Sequence, residues 1–373
     1  MKFVIEKNIL LDAIINVSRA ISTRTTIPIL NGIKFELKES GLELTATDSE
    51  LTIRDFIEEK KIMKIESVGS VVIQSKYILD IIRKMPTNVI KFEVINNNNI
   101  KVSSDYNEYE LNCYDVSDYP NIVFDDAKEP IPFKASILKQ IINNTSYAIS
   151  TQEVRPLLTG LNLKITGDNL ECIATDSYRL AKTSVKLNKI VDNIVNIVIP
   201  GKSVYEIEKI LSDNDDDIVL HIFNNKMIII YNNIKIQTNL LSGTYPDTSN
   251  FIPNEFKYVI NLKLSAFNDA VDRATILAQN KDKNIVKMII KGKEMILTST
   301  SSELGKTEEK LNIESSNEEY IDIAFSSKYM LEALKIFKDD DLILLLNEDD
   351  KPIIVKSLKD EATIGLILPV KTY

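Results

Sequence analysis

Ala174-Thr175-Asp176-Ser177-Tyr178-Arg179-Leu180 closes a run of alternating apolar and polar residues, and the chain carries the same pattern twice more. LELTATDSEL (Leu42 to Leu51) runs into Thr47-Asp48-Ser49, and MILTSTSSEL (Met295 to Leu304) runs into Thr300-Ser301-Ser302. Alternation of this kind is the mark of a half-buried strand, and the small polar residues after it mark a turn. Thr47 and Thr175 lie 128 residues apart, and Thr175 and Thr300 lie 125 apart. That period is the size of a domain and far longer than a solenoid repeat.

A true duplication repeats more than one stretch in the same order. A second marker does so: VVIQSKYILDIIRKM (Val71 to Met85), IVIPGKSVYEIEKIL (Ile197 to Leu211) and IAFSSKYMLEALKIF (Ile323 to Phe337). Each reads as a short apolar strand, a Ser or Gly turn, and an amphipathic helix opening on Lys76, Lys202 or Lys328. A third marker, a helix near the start of each unit, is expected at Ile9 to Ala20, Ile137 to Ala148 and about Leu264 to Ala278. With about 100–200 residues per domain as a prior, the repeat divides the 373 residues into three domains, 1–127, 128–254 and 255–373.

The segments between these markers fill in strands at Lys2–Ile5, Gly32–Leu37, Leu51–Ile57, Val89–Ile95, Ile100–Val102 and Tyr109–Tyr114 in the first repeat. Asn96 to Asn99 reads as a hairpin tip, and the charged, proline-bearing Asp125 to Pro132 as a linker. The chain ends in Ile364 to Pro369, an apolar run where a frayed tail would be polar, so a docked terminal strand is expected. The fold class that follows is α+β in three tandem copies.

Net charge is −9, but it is unevenly spread: the six marker helices sum to +8, which leaves −17 on the remainder. Basic helices within an acidic shell suggest two faces of opposite charge. Glu6 and Asp12 interrupt the apolar N-terminal segment, and no run reaches the roughly 20 apolar residues that span a bilayer. The expectation is a cytoplasmic protein with no membrane contact. Cys113 and Cys172, in different repeats, read as buried reduced thiols, since a structural zinc site needs about four ligands and His221 is the single histidine.

Catalytic chemistry finds no support among these residues, and no cofactor or metal is expected. Gly201-Lys202-Ser203 resembles the end of a phosphate loop, but Asn196 stands where the motif requires its upstream glycine. His221 sits in a strand-like run, and the consecutive Asp213 to Asp217 lack the alternating spacing of a calcium loop. Asp48 and Asp176 recur while the third copy has Ser301, a pattern that suits turn acceptors for backbone N–H groups. The competing enzymatic reading is a metal-dependent phosphoesterase using Asp48, Asp176 and Asp213 to Asp217. Another is a three-domain scaffold that binds peptides without enclosing DNA.

MKFVIEKNILLDAI at the start, TRTTIPIL (Thr23 to Leu30), ATDSYRLA in the middle, LLSGTYPD (Leu240 to Asp247) and LILPVKTY at the end together resemble the bacterial sliding clamps, the beta subunits of the replicative DNA polymerase III. The resemblance covers the whole chain. It implies the DNA-clamp fold three times over, with two chains forming a ring whose helices line a central hole and whose sheets lie outside. Duplex DNA would be enclosed without sequence readout, the replicative polymerase tethered, and a clamp loader and other polymerases and repair factors recruited. Carried over by position, the resemblance implies DNA contacts at Arg24, Gln152 and Lys202. It implies a partner-peptide cleft of Leu158, Thr175, Tyr178, Arg179, Leu180, Pro246, Phe251, Leu368, Pro369, Val370 and Lys371. It also implies a homodimer interface at Tyr109, Leu111, Ile276 and Leu277. The chain departs from some clamps at Pro156 and Leu157, which replace aromatic residues, at Ser177-Tyr178, which replaces Gly-His, and at Asn250, which replaces arginine.

Overall fold

Phe3 and Ile5 alternate with Lys2, Val4 and Glu6, and in the computed structural model they point inward and are fully buried on strand Lys2–Glu6. The structure describes all residues except 23–24, 97–98, 126–127, 279–283, 302, 316–319, 339–340 and 372–373. Among the described residues there are six α-helices, named α1 (Lys7–Ser18), α2 (Ser75–Lys84), α3 (Ala135–Thr145), α4 (Gly201–Ile210), α5 (Leu264–Ala278) and α6 (Ser327–Leu334). They coincide with the six marker helices. α2, α4 and α6 each open one residue before the marker lysine.

The chain divides into two compact units, Met1–Lys139 with Tyr205–Leu240, and Gln140–Val204 with Leu241–Tyr373. Three repeats give two units because strands of the middle repeat are shared out between the other two. In the first unit a single antiparallel sheet of thirteen strands runs from Ile131–Lys134 through Asp217–Ile222, Lys226–Tyr231 and Ile234–Asn239 into Leu51–Glu58 of the first repeat. It continues through Gly41–Thr47, Gly32–Lys38, Gly69–Gln74, Glu108–Tyr114, Asn99–Ser103, Val89–Asn96 and Lys2–Glu6 to Ile62–Ser67. The crossing point is the register Leu51↔Thr238 to Asp55↔Ile234.

α1 lies on this sheet. Its buried residues Leu10, Ala13, Ile14 and Val17 follow the helical i, i+3, i+4, i+7 spacing, and each full burial of a large aliphatic side chain contributes about 1.5–3 kcal/mol. The helix has no side-chain cap, and instead the Lys7 N–H and Nζ donate to the carbonyls of Asn88 and Met85 at 2.8 and 2.6 Å. Beneath it Phe92 stacks on Phe3 and Phe35, with ring centroids 4.9 and 5.5 Å away.

The second unit holds a seven-stranded sheet and a four-stranded sheet. The first contains the long hairpin Gly160–Thr175 and Arg179–Pro200, followed by Thr363–Ile367, Ile353–Ser357, Asp341–Leu346, Tyr258–Lys263 and Glu314–Ser315. The second runs Gly305–Asn312, Glu294–Ser301, Ile285–Lys291 and Ile321–Ser326. α5 and α6 cover its core through Phe267, Val271, Met330 and Leu334. The terminal apolar run is a strand, paired to Arg179–Thr183 on one side and Ile353–Lys356 on the other.

The thiols differ from expectation in part. Cys172 is buried, whereas Cys113 is half-exposed, on the strand Glu108–Tyr114, none of whose residues is buried. His221 is a buried strand residue whose Nδ1 meets the Lys128 carbonyl at 2.8 Å.

Candidate functional site

The quoted stretch folds into a turn whose geometry explains its composition. Ser177 holds φ +76°, a left-handed conformation that suits a short polar residue. Asp176 Oδ1 accepts from the N–H groups of Tyr178 and Arg179 at 2.9 and 3.0 Å, and Thr175 Oγ1 donates to the Arg179 carbonyl at 2.6 Å. The first repeat reproduces each feature: Ser49 has φ +78°, and Asp48 Oδ1 accepts from Glu50 and Leu51 at 3.0 and 2.8 Å. In the third repeat Ser301 Oγ takes the same two positions, from Glu303 and Leu304, at 3.4 and 3.3 Å. The two carboxylates are turn acceptors, as their replacement by serine suggests.

Around the middle turn lies a small apolar cluster separate from the main core of the second unit. It joins Leu158 and Leu180 to Ile173, Val198, Tyr245, Leu345, Ile354 and Leu366. Leu158 stands on the 3-10 turn Pro156–Thr159, and Leu180 is the second residue of the strand that pairs with the C-terminal strand. The Thr175 N–H donates to the Tyr245 hydroxyl at 3.0 Å, which fixes the segment leading to Pro246. Burial holds the Tyr245 hydroxyl proton well above the usual tyrosine range, so it stays a neutral partner.

Above this floor the rim is exposed and apolar. Tyr178, Phe251 and Leu368 are 57%, 47% and 38% exposed, large values for residues of their type. Pro246 and Lys371 are exposed, and Pro369 and Val370 half-buried. The Leu368 N–H donates to the Tyr178 carbonyl and the Val370 N–H to that of Ala324, at 2.9 and 2.7 Å, so the terminal segment is tied to the rim. The arrangement offers anchors and backbone edges and no reactive group. The equivalent place in the first unit is polar: Glu50 stands for Tyr178 and Asn239 for Leu368. The Asn239 N–H meets the Glu50 carbonyl at 2.9 Å, and its side chain bonds the Ser49 carbonyl at 3.2 Å.

Arg179 is oriented differently from an open cleft residue. Its guanidinium is buried, with Nε on Asp176 Oδ2 at 3.0 Å and Nη1 on Glu332 of α6. It lies over the rings of Tyr329 and Tyr147, 4.5 and 5.5 Å from their centroids. Burial alone would lower its pKa, but the bond to Glu332 and the nearby carboxylates outweigh it and raise it above the ordinary guanidinium value. Tyr329 also stacks beside Tyr178 at 6.5 Å. Sequence reasoning did not find Tyr147, Tyr329 or Glu332. The only signal was α6 itself, whose Tyr329 follows a marker lysine.

The remaining expected positions are dispersed. Gln152 is exposed in a loop where its N–H bonds Ser150 Oγ at 3.1 Å, and Lys202 is exposed on the first turn of α4. Arg24 lies outside the described residues. In the first unit Tyr109 is exposed and Leu111 half-buried on Glu108–Tyr114. In the second unit Ile276 is 62% exposed at the end of α5, next to the half-buried Leu277. The Asp213 to Asp217 turn is engaged by Lys139, Lys134 and Ser136. Among the described residues no helix is long and apolar enough to cross a membrane.

Comparison with known proteins agrees along the full length. Models for the N-terminal, central and C-terminal domains of the DNA polymerase III beta subunit match residues 1–123, 133–247 and 249–371. The beta sliding clamp of Bacillus subtilis is 37% identical over 378 residues, covering 100% of both chains. The crystal structure of the DNA polymerase sliding clamp from that organism superposes with a TM-score of 0.96 at 37% identity and full coverage of both chains. That of the DNA polymerase III beta chain from Streptococcus pneumoniae gives 0.95 at 30% identity, again with full coverage. The chain therefore belongs to the DNA polymerase III beta subunit family, the non-catalytic DNA sliding clamps of bacterial replication.

Proposed function

We propose that two copies of this chain close head to tail into a ring around duplex DNA, with the repeats 1–127, 128–254 and 255–373 as its six domains. The observation that carries this reading is a strand junction made twice within the chain. Each time, the strand after the Thr-Asp-Ser turn pairs with the last strand of the next repeat: Leu51–Glu58 with Ile234–Asn239, and Arg179–Thr183 with Thr363–Ile367. One half of each junction is left over. Among the described residues Gly305–Asn312 is an edge strand, and Glu108–Asn112 pairs on one side only, with Asn99–Ser103. A contact between two such different edges is heterologous and must close after a fixed number of copies, or it would propagate as a filament.

The register of the internal junctions carries over. Thr300 pairs with Lys306 where Thr47 pairs with Thr52, so the third turn is one residue longer and Gly305 matches Leu51 in the strand; Tyr119-Pro120 matches Tyr245-Pro246, so Asn112 matches Thr238. The third junction then sets Gly305 opposite Asn112 and Glu308 opposite Tyr109 of the second copy. Tyr109, Leu111, Ile276 and Leu277 serve as its apolar contacts.

In this reading the helices line the hole, and phosphates are touched loosely by Lys202 of α4, by Gln152 in its loop and by Arg24, while closure supplies retention. The cleft of the second unit takes short peptides with apolar anchors from the DNA polymerase III catalytic subunit, the clamp loader, and other polymerases and repair factors. The place of work is the cytoplasm. The test is retention on nicked circular DNA after loading with a clamp loader and ATP, followed by linearisation in high salt. Protein that stays on circles and leaves linear ends is topologically linked; equal loss from both, with a positive loading control, contradicts enclosure.

A further inference from the structure

In the second unit a cavity of about 400 Å³ is lined by Gln140, Asn143 and Tyr147 from α3 and the 3-10 turn after it, and by Glu332, Lys335 and Lys338 from α6 and the residues after it. Gln140 and Asn143 stand three residues apart on α3, so their carboxamides fall on one helix face. The volume lies within the range of about 300–1,000 Å³ for small-ligand pockets. A lone inorganic anion would leave most of it empty.

Tyr147 is the unusual member of the lining. The residue is half-buried, yet its hydroxyl oxygen is fully buried and has no hydrogen-bond partner among the described residues. What Tyr147 turns to the cavity is therefore its ring and not its polar end. Glu332 adds little negative charge, because its carboxylate accepts from Arg179 Nη1. Lys335 and Lys338 then set the sign of the lining, which is positive.

An aromatic ring, two carboxamides and two ammonium groups around one space are the parts that recognise a nucleotide. A ring stacks against a base, carboxamides meet the donors and acceptors of its edge, and ammonium groups attract its phosphate. In a duplex the faces of each base are stacked and its pairing edge is taken, so only an unpaired nucleotide can enter such a space. We propose that this cavity binds one unpaired nucleotide of single-stranded DNA, its base against Tyr147 and its phosphate at Lys335 and Lys338. In the ring proposed above α3 and α6 are among the helices that line the hole, and a single-stranded end beside the enclosed duplex would supply the nucleotide. That source rests on the ring reading; the site itself does not.

The test uses the full-length protein at low salt with a fluorescein-labelled oligothymidine of about ten nucleotides, a labelled duplex of the same length, Kd from anisotropy, and Tm for each variant. Tyr147→Leu is expected to weaken single-strand binding about 5- to 20-fold, within the range for loss of one stacked base, and to leave duplex binding unchanged. Tyr147→Phe keeps the ring and removes only the unpartnered hydroxyl, so it is expected to bind as the wild type does. Lys335→Gln with Lys338→Gln, at positions after the helix, is expected to weaken the single strand at least 5-fold more than the duplex, and it carries the test if Tyr147→Leu does not fold. Thymidine 5′-monophosphate is expected to compete with the labelled strand better than deoxyribose 5-phosphate or inorganic phosphate. Equal effects on single strand and duplex, equal loss in Tyr147→Phe and Tyr147→Leu, or equal competition by the sugar phosphate would overturn the proposal. Loss of retention on circular DNA with single-strand binding intact would instead remove the ring reading and leave the site.

Discussion

The Leu368 N–H donates to the Tyr178 carbonyl at 2.9 Å, and the Asn239 N–H donates to the Glu50 carbonyl at the same distance. One backbone contact thus recurs at both internal junctions, yet its surroundings are apolar at one and polar at the other. On the proposed reading the difference puts the partner-peptide cleft at the second junction, with the terminal segment as one of its walls.

Deleting Leu368 to Tyr373 is therefore expected to weaken peptide binding by at least 10-fold, as loss of a hot-spot wall does, while leaving the dimer intact. Anisotropy with a fluorescein-labelled peptide carrying leucine and phenylalanine anchors and light scattering on the same sample check both halves. Retained affinity would remove the cleft from this place.

Ile276→Asp with Leu277→Asp introduces two charges where an apolar contact between copies is assigned. Monomers of 42.3 kDa are expected in place of a species of twice that mass. An unchanged dimer in multi-angle light scattering would contradict the assigned interface.

The register of the third junction is open to direct measurement. With Cys113 and Cys172 replaced by serine, Tyr109→Cys and Glu308→Cys on separate copies are expected to join in high yield with a short bismaleimide. Tyr109→Cys and Thr307→Cys should join poorly, because a one-residue shift moves a side chain to the other face of a sheet. Equal yields would reject the register.

Asp55 is buried beneath α1, where Asn16 Nδ2 donates to it at 2.9 Å. Burial raises its pKa above 3.8, and the bond from Asn16 offsets only part of that. An acid raised in the folded state holds its proton more tightly there than in the unfolded chain. It costs no stability below pH 3.8, and a cost develops as pH climbs from there through the raised value. Asp55→Asn, which keeps an acceptor for Asn16, is expected to raise Tm at pH 7, with the gain shrinking toward pH 4. A constant difference between the two pH values would rule out burial of the charge as the cause.

Much of this architecture was legible in the sequence because it is local. The Thr-Asp-Ser turns announce themselves by residue type, the marker lysines fall one residue inside α2, α4 and α6, and the apolar terminus docks as a strand. What stayed hidden depends on residues far apart. Arg179 and Glu332 are separated by 153 positions, and no periodicity links them. Nor could alternation in Leu51–Glu58 disclose that its partner strand belongs to the next repeat, since it reveals which face is buried and not which edge is filled. The far half of the long hairpin, about Lys186 to Asn196, is largely exposed, so its hydrophobic pattern carried little signal.

The crossing from the first repeat into the middle one, Leu51–Thr238 to Asp55–Ile234, bears on how such a ring would part. Five consecutive residue pairs make the two repeats one continuous sheet, with backbone hydrogen bonds in place of a flexible linker. A seam of that kind is stiff, and separating it would unmake the fold of the first unit. In a ring closed as proposed above, strain applied by a loader would therefore gather at the pairing between copies, where the chain can let go without unfolding.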